Sequence, residues 1–215
     1  MNTSILFSHS YFLRFDPKQW QTGQPYAPLG TLYAASTMRE NGYDVNLFDT
    51  MFAHAPEEVI EPLEKYKPRF FVLYDDGFNY LTKMCLTNMR EAAFKMAKLA
   101  KTRGCTVIVS SSDSTDHYQQ YLQEGADYIV IGEGEQTLLE LINAITHERD
   151  NPQNIPGLAF MQNDHAIKTA ARPVMRDLDN IPFPAWDLVD IQPYRQMWLK
   201  SSGYFSMNMG TTRGC

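Results

Sequence analysis

The sequence has few cysteines, and they lie far apart. Three occur in 215 residues, at positions 85, 105 and 215, with no Cys-x-x-Cys pair. Cysteines so widely separated do not form the disulfide framework of small secreted domains. This pattern argues against a disulfide scaffold and favours a reducing compartment, so we expect a cytoplasmic protein.

Long apolar runs and clusters of positive charge are also missing. No stretch is long enough for a transmembrane helix, and the apolar start, residues 1–6, is too short for a signal peptide. The formal net charge is −6, without any Lys/Arg-rich run. Because nucleic-acid binders carry basic patches, we expect neither nucleic acid nor a membrane as a partner.

Two phosphate-binding motifs are absent as well. No Gly-x-Gly-x-x-Gly follows the first predicted strand, which argues against a nicotinamide or flavin dinucleotide site. No Walker loop is present either. Without those glycines, Asp49 at the end of the second predicted strand is expected to be a solvated or capping acid.

Strand and helix patterns alternate over residues 1–150. Five apolar segments predict strands: Ser4–Ser8, Val45–Asp49, Phe70–Tyr74, Thr106–Val109 and Tyr128–Ile131. Each predicted strand is followed by a helical pattern, in some cases after a loop. The longest helix is predicted over Thr82–Arg103. This alternation predicts an α/β fold with a doubly wound, five-stranded parallel sheet of the Rossmann or flavodoxin-like type.

The pattern changes after residue 150. Segments 157–161 and 166–169 flank the turn Asn163-Asp164 and predict a β-hairpin. The proline-rich stretch 181–186 predicts an extended linker that packs its aromatics on a neighbour. Residues 204–209 have the pattern of a further strand. We therefore expect a sheet domain over 1–150, a hairpin and linker over 151–193, and a separate first strand within 194–215.

Ligands of doubly wound sheets bind outside the carboxyl ends of the strands. The loops expected there supply the candidate cofactor-binding residues, which are His9, Ser10, Tyr11, Asp75, Asp76, Gly77, Ser110, Ser111, Ser112, Gly132, Glu133, Gly134 and Glu135. Several of these residues also have a purely structural interpretation. Serines cap helices, Asp-Asp-Gly forms turns, and a lone histidine is more often a hydrogen-bonded residue than a metal ligand. Aromatics in the loop 9–27 would cover a flat cofactor or pack on another domain.

Several ordered motifs carry a resemblance to one family. They are Pro28-Leu29-Gly30-Thr31-Leu32-Tyr33-Ala34-Ala35, Asn41-Gly42-Tyr43-Asp44-Val45, the segment Gly125–Glu135 through Gly132-Glu133-Gly134-Glu135, the linker Asp177–Asp187, and Thr211-Thr212-Arg213-Gly214-Cys215. In this order they resemble radical S-adenosylmethionine enzymes with an N-terminal cobalamin (B12)-binding-type domain. The last motif is similar to the start of the family's cluster loop, Cys-x-x-x-Cys-x-x-Cys.

The resemblance implies that this chain is the N-terminal portion of a larger enzyme. Cys215 would be the first thiolate of a [4Fe–4S] cluster. In the full-length protein that cluster would cleave S-adenosylmethionine to a 5′-deoxyadenosyl radical, which abstracts hydrogen from an unidentified substrate. Cobalamin in the sheet domain can supply a methyl group, which implies a methyltransferase or a related radical-transfer enzyme. The chain alone lacks the other cluster ligands and is not expected to be catalytic.

Departures from the family pattern leave a second hypothesis open. The motif Asp-x-His-x-x-Gly is missing after strand one, and Ser110-Ser111 stands where the family usually has Gly-Gly. Two extra side chains would narrow the slot for the cofactor tail, and Asp75-Asp76 would bring charge to it.

The alternative is therefore a domain that has kept the fold, lost cobalamin and serves a structural or substrate-positioning role. A free-standing sensor of flavodoxin-like fold is a third hypothesis, which the hairpin, the linker and the final motif disfavour. We also expect the tail, residues 194–215, to pack on the domain or on a second copy, which would give a homodimer.

Overall fold

A computed structural model of the protein describes residues 3–75, 86–147, 151–210 and 212. Its centre is one seven-stranded sheet in the order β2-β1-β3-β4-β5-β6-β7. The strands are β1 (Ser4–Ser8), β2 (Asp44–Phe48), β3 (Phe70–Tyr74), β4 (Thr106–Ser110), β5 (Tyr128–Val130), β6 (Leu158–Gln162) and β7 (His165–Lys168). The first five are parallel, which confirms the doubly wound sheet.

Helices cover both faces of this sheet. They are α1 (Pro17–Thr22), α2 (Leu29–Glu40), α3 (Ile60–Tyr66), α4 (Leu86–Lys101), α5 (Ser112–Asp116), α6 (Tyr118–Gln123), α7 (Gly134–His147) and α8 (Ile191–Ser202). The predicted helix Thr82–Arg103 corresponds to α4, and its predicted start at Thr82 lies outside the described residues. No helix within the described ranges is long and apolar enough to cross a membrane.

The unbroken apolar sequence of β3 follows from its position in the middle of the sheet. All five of its residues are buried. Phe70, Val72 and Tyr74 belong to the core that includes buried residues of α2 and α7. Phe71 and Leu73 face the opposite core, which includes residues of α3 and α4. A strand covered on both faces has no polar side, so it loses the alternation typical of a half-exposed strand.

The hairpin β6–β7 extends the same sheet. Strand β6 pairs antiparallel with β5, with Ile129 opposite Ala159. The connecting residues Asn163 and Asp164 have φ values of 48° and 62°. A two-residue hairpin turn with both φ values positive suits the twist of the strands and favours Asn and Asp. The predicted hairpin is therefore present, and it is hydrogen-bonded to the parallel strands.

The chain after residue 185 differs from the sequence-based expectation. Helix α8 runs across the predicted boundary at residue 193. The predicted strand over residues 204–209 is wrong, because a bend at Tyr204 is followed by a segment without regular secondary structure. Helix α8 packs on the domain through Tyr194 and Trp198, each 2% exposed. These two large aromatics have the helical i, i+4 spacing, which places them on one face of α8.

The two large aromatic residues of the linker differ in how far they are buried. Phe183 is 92% exposed, so the prediction that the linker buries its aromatics is wrong at this position. Trp186 is partly buried in a third apolar cluster together with Tyr11 and Tyr194. The aromatic loop therefore packs within this chain, against α8 and the linker.

Candidate functional site

A cleft of about 400 Å³ lies at the carboxyl ends of β3, β4 and β5. Its lining residues are Gly30, Tyr74, Asp75, Ser110, Ser111, Ser112, Thr115, Asp116, Gly132, Glu133 and Glu135. The volume falls within the range of roughly 300–1,000 Å³ that is usual for small-molecule sites. Its position agrees with the general rule for ligands of open α/β sheets.

Asp75 follows β3 and is held in place by Ser10, which follows β1. The backbone N–H of Ser10 donates to Oδ1 of Asp75 at 2.6 Å, and the Ser10 hydroxyl donates to Oδ2 at 2.8 Å. Burial raises the pKa of Asp75 above its usual value, and the two hydrogen bonds from Ser10 only partly offset this effect. Asp75, a half-buried residue that lines the cleft, thus has a carboxyl group with a fixed orientation.

Ser110 and Ser111 end β4 on another side of the cleft, with Ser110 buried. The Ser111 hydroxyl accepts a hydrogen bond from the Ser114 N–H at 2.8 Å, and the Ser111 N–H donates to the Ser114 hydroxyl at 2.9 Å. This reciprocal arrangement caps the short helix α5. The Ser111 hydroxyl is therefore engaged by its own helix.

An ion pair anchors α5 to α4. Arg90 donates from Nε and Nη2 to the two carboxylate oxygens of Asp113, at 2.7 and 2.5 Å, and the Tyr121 hydroxyl donates to the same group at 2.8 Å. Burial alone would raise the pKa of Asp113, but the hydrogen bonds from Arg90 and Tyr121 outweigh it and place the pKa below its usual value. A bidentate contact of this kind fixes geometry as well as charge, so the rim of the cleft formed by α5 is firmly positioned.

Glycine is required where β5 leads into α7. Gly132 has a φ of +79°, in the left-handed region. A Cβ at Gly134 would lie 2.7 Å from the hydroxyl oxygen of Tyr74 and 2.9 Å from its ring. Gly134 thus allows the start of α7 to approach the end of β3 closely.

His9 belongs to a buried network beside the cleft. Its Nε2 lies 2.9 Å from Oδ1 of Asp49, whose Oδ2 accepts a hydrogen bond from the Tyr194 hydroxyl at 2.7 Å. Burial raises the pKa of Asp49, but hydrogen bonds from His9, Tyr194 and the Met51 N–H outweigh it, and the pKa lies below the usual value. His9 therefore acts as a hydrogen-bond partner that links β1 to β2 and, through Asp49, to α8. Within the described part of the chain, no three His, Cys, Asp or Glu side chains are grouped so that they could hold a metal ion.

The structure brings most of the predicted site residues together. Those that line the cleft are Asp75, Ser110, Ser111, Ser112, Gly132, Glu133 and Glu135. Ser10 contacts Asp75, whereas His9, Tyr11 and Gly134 are buried and do not line the cleft. Asp76, Gly77 and Cys215 lie outside the described residues.

Sequence reasoning missed four lining residues, namely Gly30, Tyr74, Thr115 and Asp116. Gly30 lies in the first turn of α2, within the motif Pro28-Leu29-Gly30 that opens this helix, so a signal was present. Tyr74 reads as the last residue of a buried strand. Thr115 and Asp116 belong to α5, which begins directly after β4, whereas the sequence pattern predicts a helix only over Asp116–Glu124, the region of α6.

The family model described as the B12 binding domain matches residues 21–142, more than half of the chain. Among curated proteins, the chain is 25% identical over 193 residues to the anaerobic magnesium-protoporphyrin IX monomethyl ester cyclase of Synechocystis sp. and covers 37% of it. It is 27% identical over 193 residues to an uncharacterized methyltransferase of Pyrococcus horikoshii and covers 38% of it. Each alignment covers 87% of this chain. The chain spans little more than a third of the length of these relatives.

Two solved structures have a similar fold. The cobalamin-dependent S-adenosylmethionine radical enzyme OxsB, with aqua-cobalamin bound, superposes with a TM-score of 0.71 at 17% identity, over 99% of this chain and 27% of that one. The radical S-adenosylmethionine methyltransferase TsrM of Kitasatospora setae, with cobalamin and a [4Fe–4S] cluster bound, gives 0.58 at 19% identity, over 86% and 31%. At such identities the likeness concerns the fold.

Proposed function

Because this chain belongs to the B12-binding domain family, we propose that its cleft at the ends of β3, β4 and β5 holds the nucleotide tail of cobalamin. The match over residues 21–142 is the observation that carries this proposal, since it includes every strand and loop that forms the cleft. At about 400 Å³ the cleft is too small for the whole cofactor. The narrow nucleotide tail suits the position of the cleft between the strand ends and the helix starts.

The hydroxyl-bearing residues of the cleft fit the sugar and the base of such a tail. Ser110, Ser112 and Thr115 carry hydroxyls, which both donate and accept hydrogen bonds, and Asp75 adds an acceptor. Neither lysine nor arginine occurs among the described lining residues, so the cleft does not resemble a site for a free, multiply charged phosphate.

The replacement of a Gly-Gly pair by Ser110-Ser111 is compatible with this proposal. The Ser111 hydroxyl is bonded to the backbone of α5, and the buried Ser110 lines the slot with a small polar side chain. The family match therefore favours a cobalamin-binding domain over the alternative of a domain that has lost the cofactor.

The chain's own residues would bind and orient the cofactor and shield it from water. Ser10 fixes the Asp75 carboxyl group, the α5 cap fixes Ser111, and the Arg90–Asp113 pair holds α5 against α4. A site with fixed side chains loses less conformational entropy on binding. When bound, cobalamin supplies a cobalt centre that can carry and transfer an alkyl group.

For the full-length protein we propose a cobalamin-dependent radical S-adenosylmethionine enzyme, either a methyltransferase or a related radical-transfer enzyme. The curated relatives include a protein named as a methyltransferase and one named as a cyclase, and both are far longer than the aligned region. In this proposal Cys215 is the first cluster ligand, an assignment that rests on its motif alone.

The experiment is retention of hydroxocobalamin by the purified chain after removal of free cofactor, measured by visible absorbance. We expect about one corrin per chain. Ser112→Trp places a large ring at an exposed position that lines the cleft and should abolish retention. Gln119→Trp, at an exposed position of α6 outside the cleft, is the matched control and should bind like wild type. Equal retention by both variants would show that the cofactor does not occupy this cleft.

A further inference from the structure

The lining of the cleft is rich in hydrogen-bond acceptors. Four of its eleven lining residues are acids, Asp75, Asp116, Glu133 and Glu135, and the described lining holds no cationic side chain to neutralise them. Glu133 accepts a hydrogen bond from the Met175 N–H. The composition of the lining therefore favours corrinoids that can donate hydrogen bonds to it.

Asp75 is the acid whose orientation the structure defines best. Each of its oxygens accepts one hydrogen bond from Ser10, one from the backbone and one from the hydroxyl. A carboxyl group accepts at two oxygens with about two positions on each, so acceptor capacity remains beside the bonds from Ser10. The carboxyl group cannot change its orientation without breaking both bonds from Ser10.

Corrinoids differ chemically in the base of their nucleotide tail. Dimethylbenzimidazole, the base of cobalamin, carries two methyl groups and no N–H donor on its ring when it is attached to the ribose. Adenine has an exocyclic amino group with two N–H donors. The acceptor positions that Ser10 leaves open stay without a partner when they meet methyl groups, which is unfavourable, whereas an amino group can donate to them. Sites built to pair with a polar group discriminate strongly against analogues that lack it.

We propose that this cleft prefers a corrinoid whose nucleotide base donates N–H hydrogen bonds, as adenine does, over cobalamin itself, and that Asp75 is the residue that confers this preference. The inference rests on the proposed function and deepens it. The hydroxyls of Ser110 and Thr115 support the same choice, because they can pair with the acceptor nitrogens of a purine ring.

Equilibrium binding of three corrinoids tests the proposal, namely adeninylcobamide, cobalamin and cobinamide, which lacks the nucleotide. Titration followed by quenching of tryptophan fluorescence gives the dissociation constants without any enzymatic activity. We expect adeninylcobamide to bind about tenfold or more tightly than cobalamin, the discrimination typical of one well-placed hydrogen-bonding group, and cobinamide to bind most weakly.

Two variants assign the preference to its residue. Asp75→Asn keeps the shape and a partner for Ser10 but removes acceptor capacity, so the ratio of the two dissociation constants should fall towards one. Asp116→Asn, at the exposed rim of the cleft, is the matched control and should keep the wild-type ratio. A circular dichroism spectrum like that of wild type shows that each variant is folded, and the wild-type ratio tests the preference even if Asp75→Asn fails to fold.

The outcomes separate the two proposals. Equal affinity for adeninylcobamide and cobalamin, with weaker binding of cobinamide, would overturn the preference and leave cofactor binding in the cleft intact. Equal binding of all three would show that no nucleotide enters the cleft. Failure of every corrinoid to bind would overturn both proposals.

Discussion

Replacing Tyr194 by phenylalanine should destabilise the protein in a pH-dependent way. Tyr194 is 2% exposed, and its hydroxyl donates to Asp49 at 2.7 Å. Burial, together with the neighbouring carboxylate, raises the pKa of Tyr194 well above its usual value, so the phenol remains a donor at neutral pH. A hydrogen bond to a charged group contributes about 1.5–3 kcal/mol, and we expect a loss of this size in the free energy of unfolding near pH 7.

The pH dependence follows from Asp49. Its folded-state pKa lies below the unfolded value of about 3.9. A carboxylate of this kind stabilises the fold above the unfolded pKa, and the stabilisation is lost as the pH falls through the folded pKa. The difference between wild type and Tyr194→Phe should therefore be largest near neutral pH and should shrink below about pH 4.

Urea denaturation at several pH values measures this difference, and Tyr43→Phe is the matched control. The Tyr43 hydroxyl is also bonded at an almost buried position, at 2.6 Å, but its acceptor is the neutral amide oxygen of Asn143. A hydrogen bond between neutral groups contributes about 0.5–1.5 kcal/mol and has no carboxylate to titrate. Equal losses with the same pH profile in both variants would refute the role assigned to the charge of Asp49.

Three further substitutions, one of them with a matched control, test the packing of α8 and the walls of the cleft. Trp198→Ala removes a buried ring that donates to the Pro25 carbonyl at 2.7 Å and should lower the free energy of unfolding by about 3–5 kcal/mol. The control Leu199→Ala, at a position 45% exposed, should change it by no more than about 0.5 kcal/mol. Thermal unfolding measures both losses, and similar values would contradict the docking of α8. Ser111→Ala removes the cap of α5 and should cost about 1 kcal/mol in urea denaturation, and no loss would show that the cap is unimportant. Gly134→Ala places a methyl group against Tyr74 and should cost about 1–3 kcal/mol by the same measurement, and a neutral result would show that the ring yields easily.

The parallel core could be predicted from the sequence because each strand carries a local signal. The segment 70–74 is apolar throughout, and the observed β3 has the same bounds. The hairpin could be predicted from Asn163-Asp164, which favour the positive φ values that the turn adopts. Its pairing with β5 could not be predicted, since hydrogen bonds between strands distant in sequence leave no local pattern.

The candidate site was predictable as a set of loops, and its details were not. The topology rule alone places Asp75, Ser110 and Gly132 at one edge of the sheet. The burial of His9 depends on Asp49, forty residues away in sequence, and no local spacing indicates that contact. Helix α8 does carry a local signal, because Ile191, Tyr194 and Trp198 follow the helical i, i+3, i+7 spacing. Pro193 in its first turn resembles a boundary between elements, and the strand-like residues that follow favoured a strand.

The hairpin has a consequence for anyone who wishes to transplant this domain. Strand β5 has only three residues, and the Ile131 N–H directly after it donates to the Gly157 carbonyl at 2.8 Å. A fragment cut at residue 150 would leave β5 as a bare edge with unsatisfied backbone groups, which is a template for pairing with foreign strands. With the hairpin kept, the outermost strand is the short β7, which carries the exposed, polar His165 and Lys168. The smallest fragment expected to keep this sheet protected therefore extends past residue 168. Because α8 buries Tyr194 and Trp198 against the domain, the fragment should extend to residue 202.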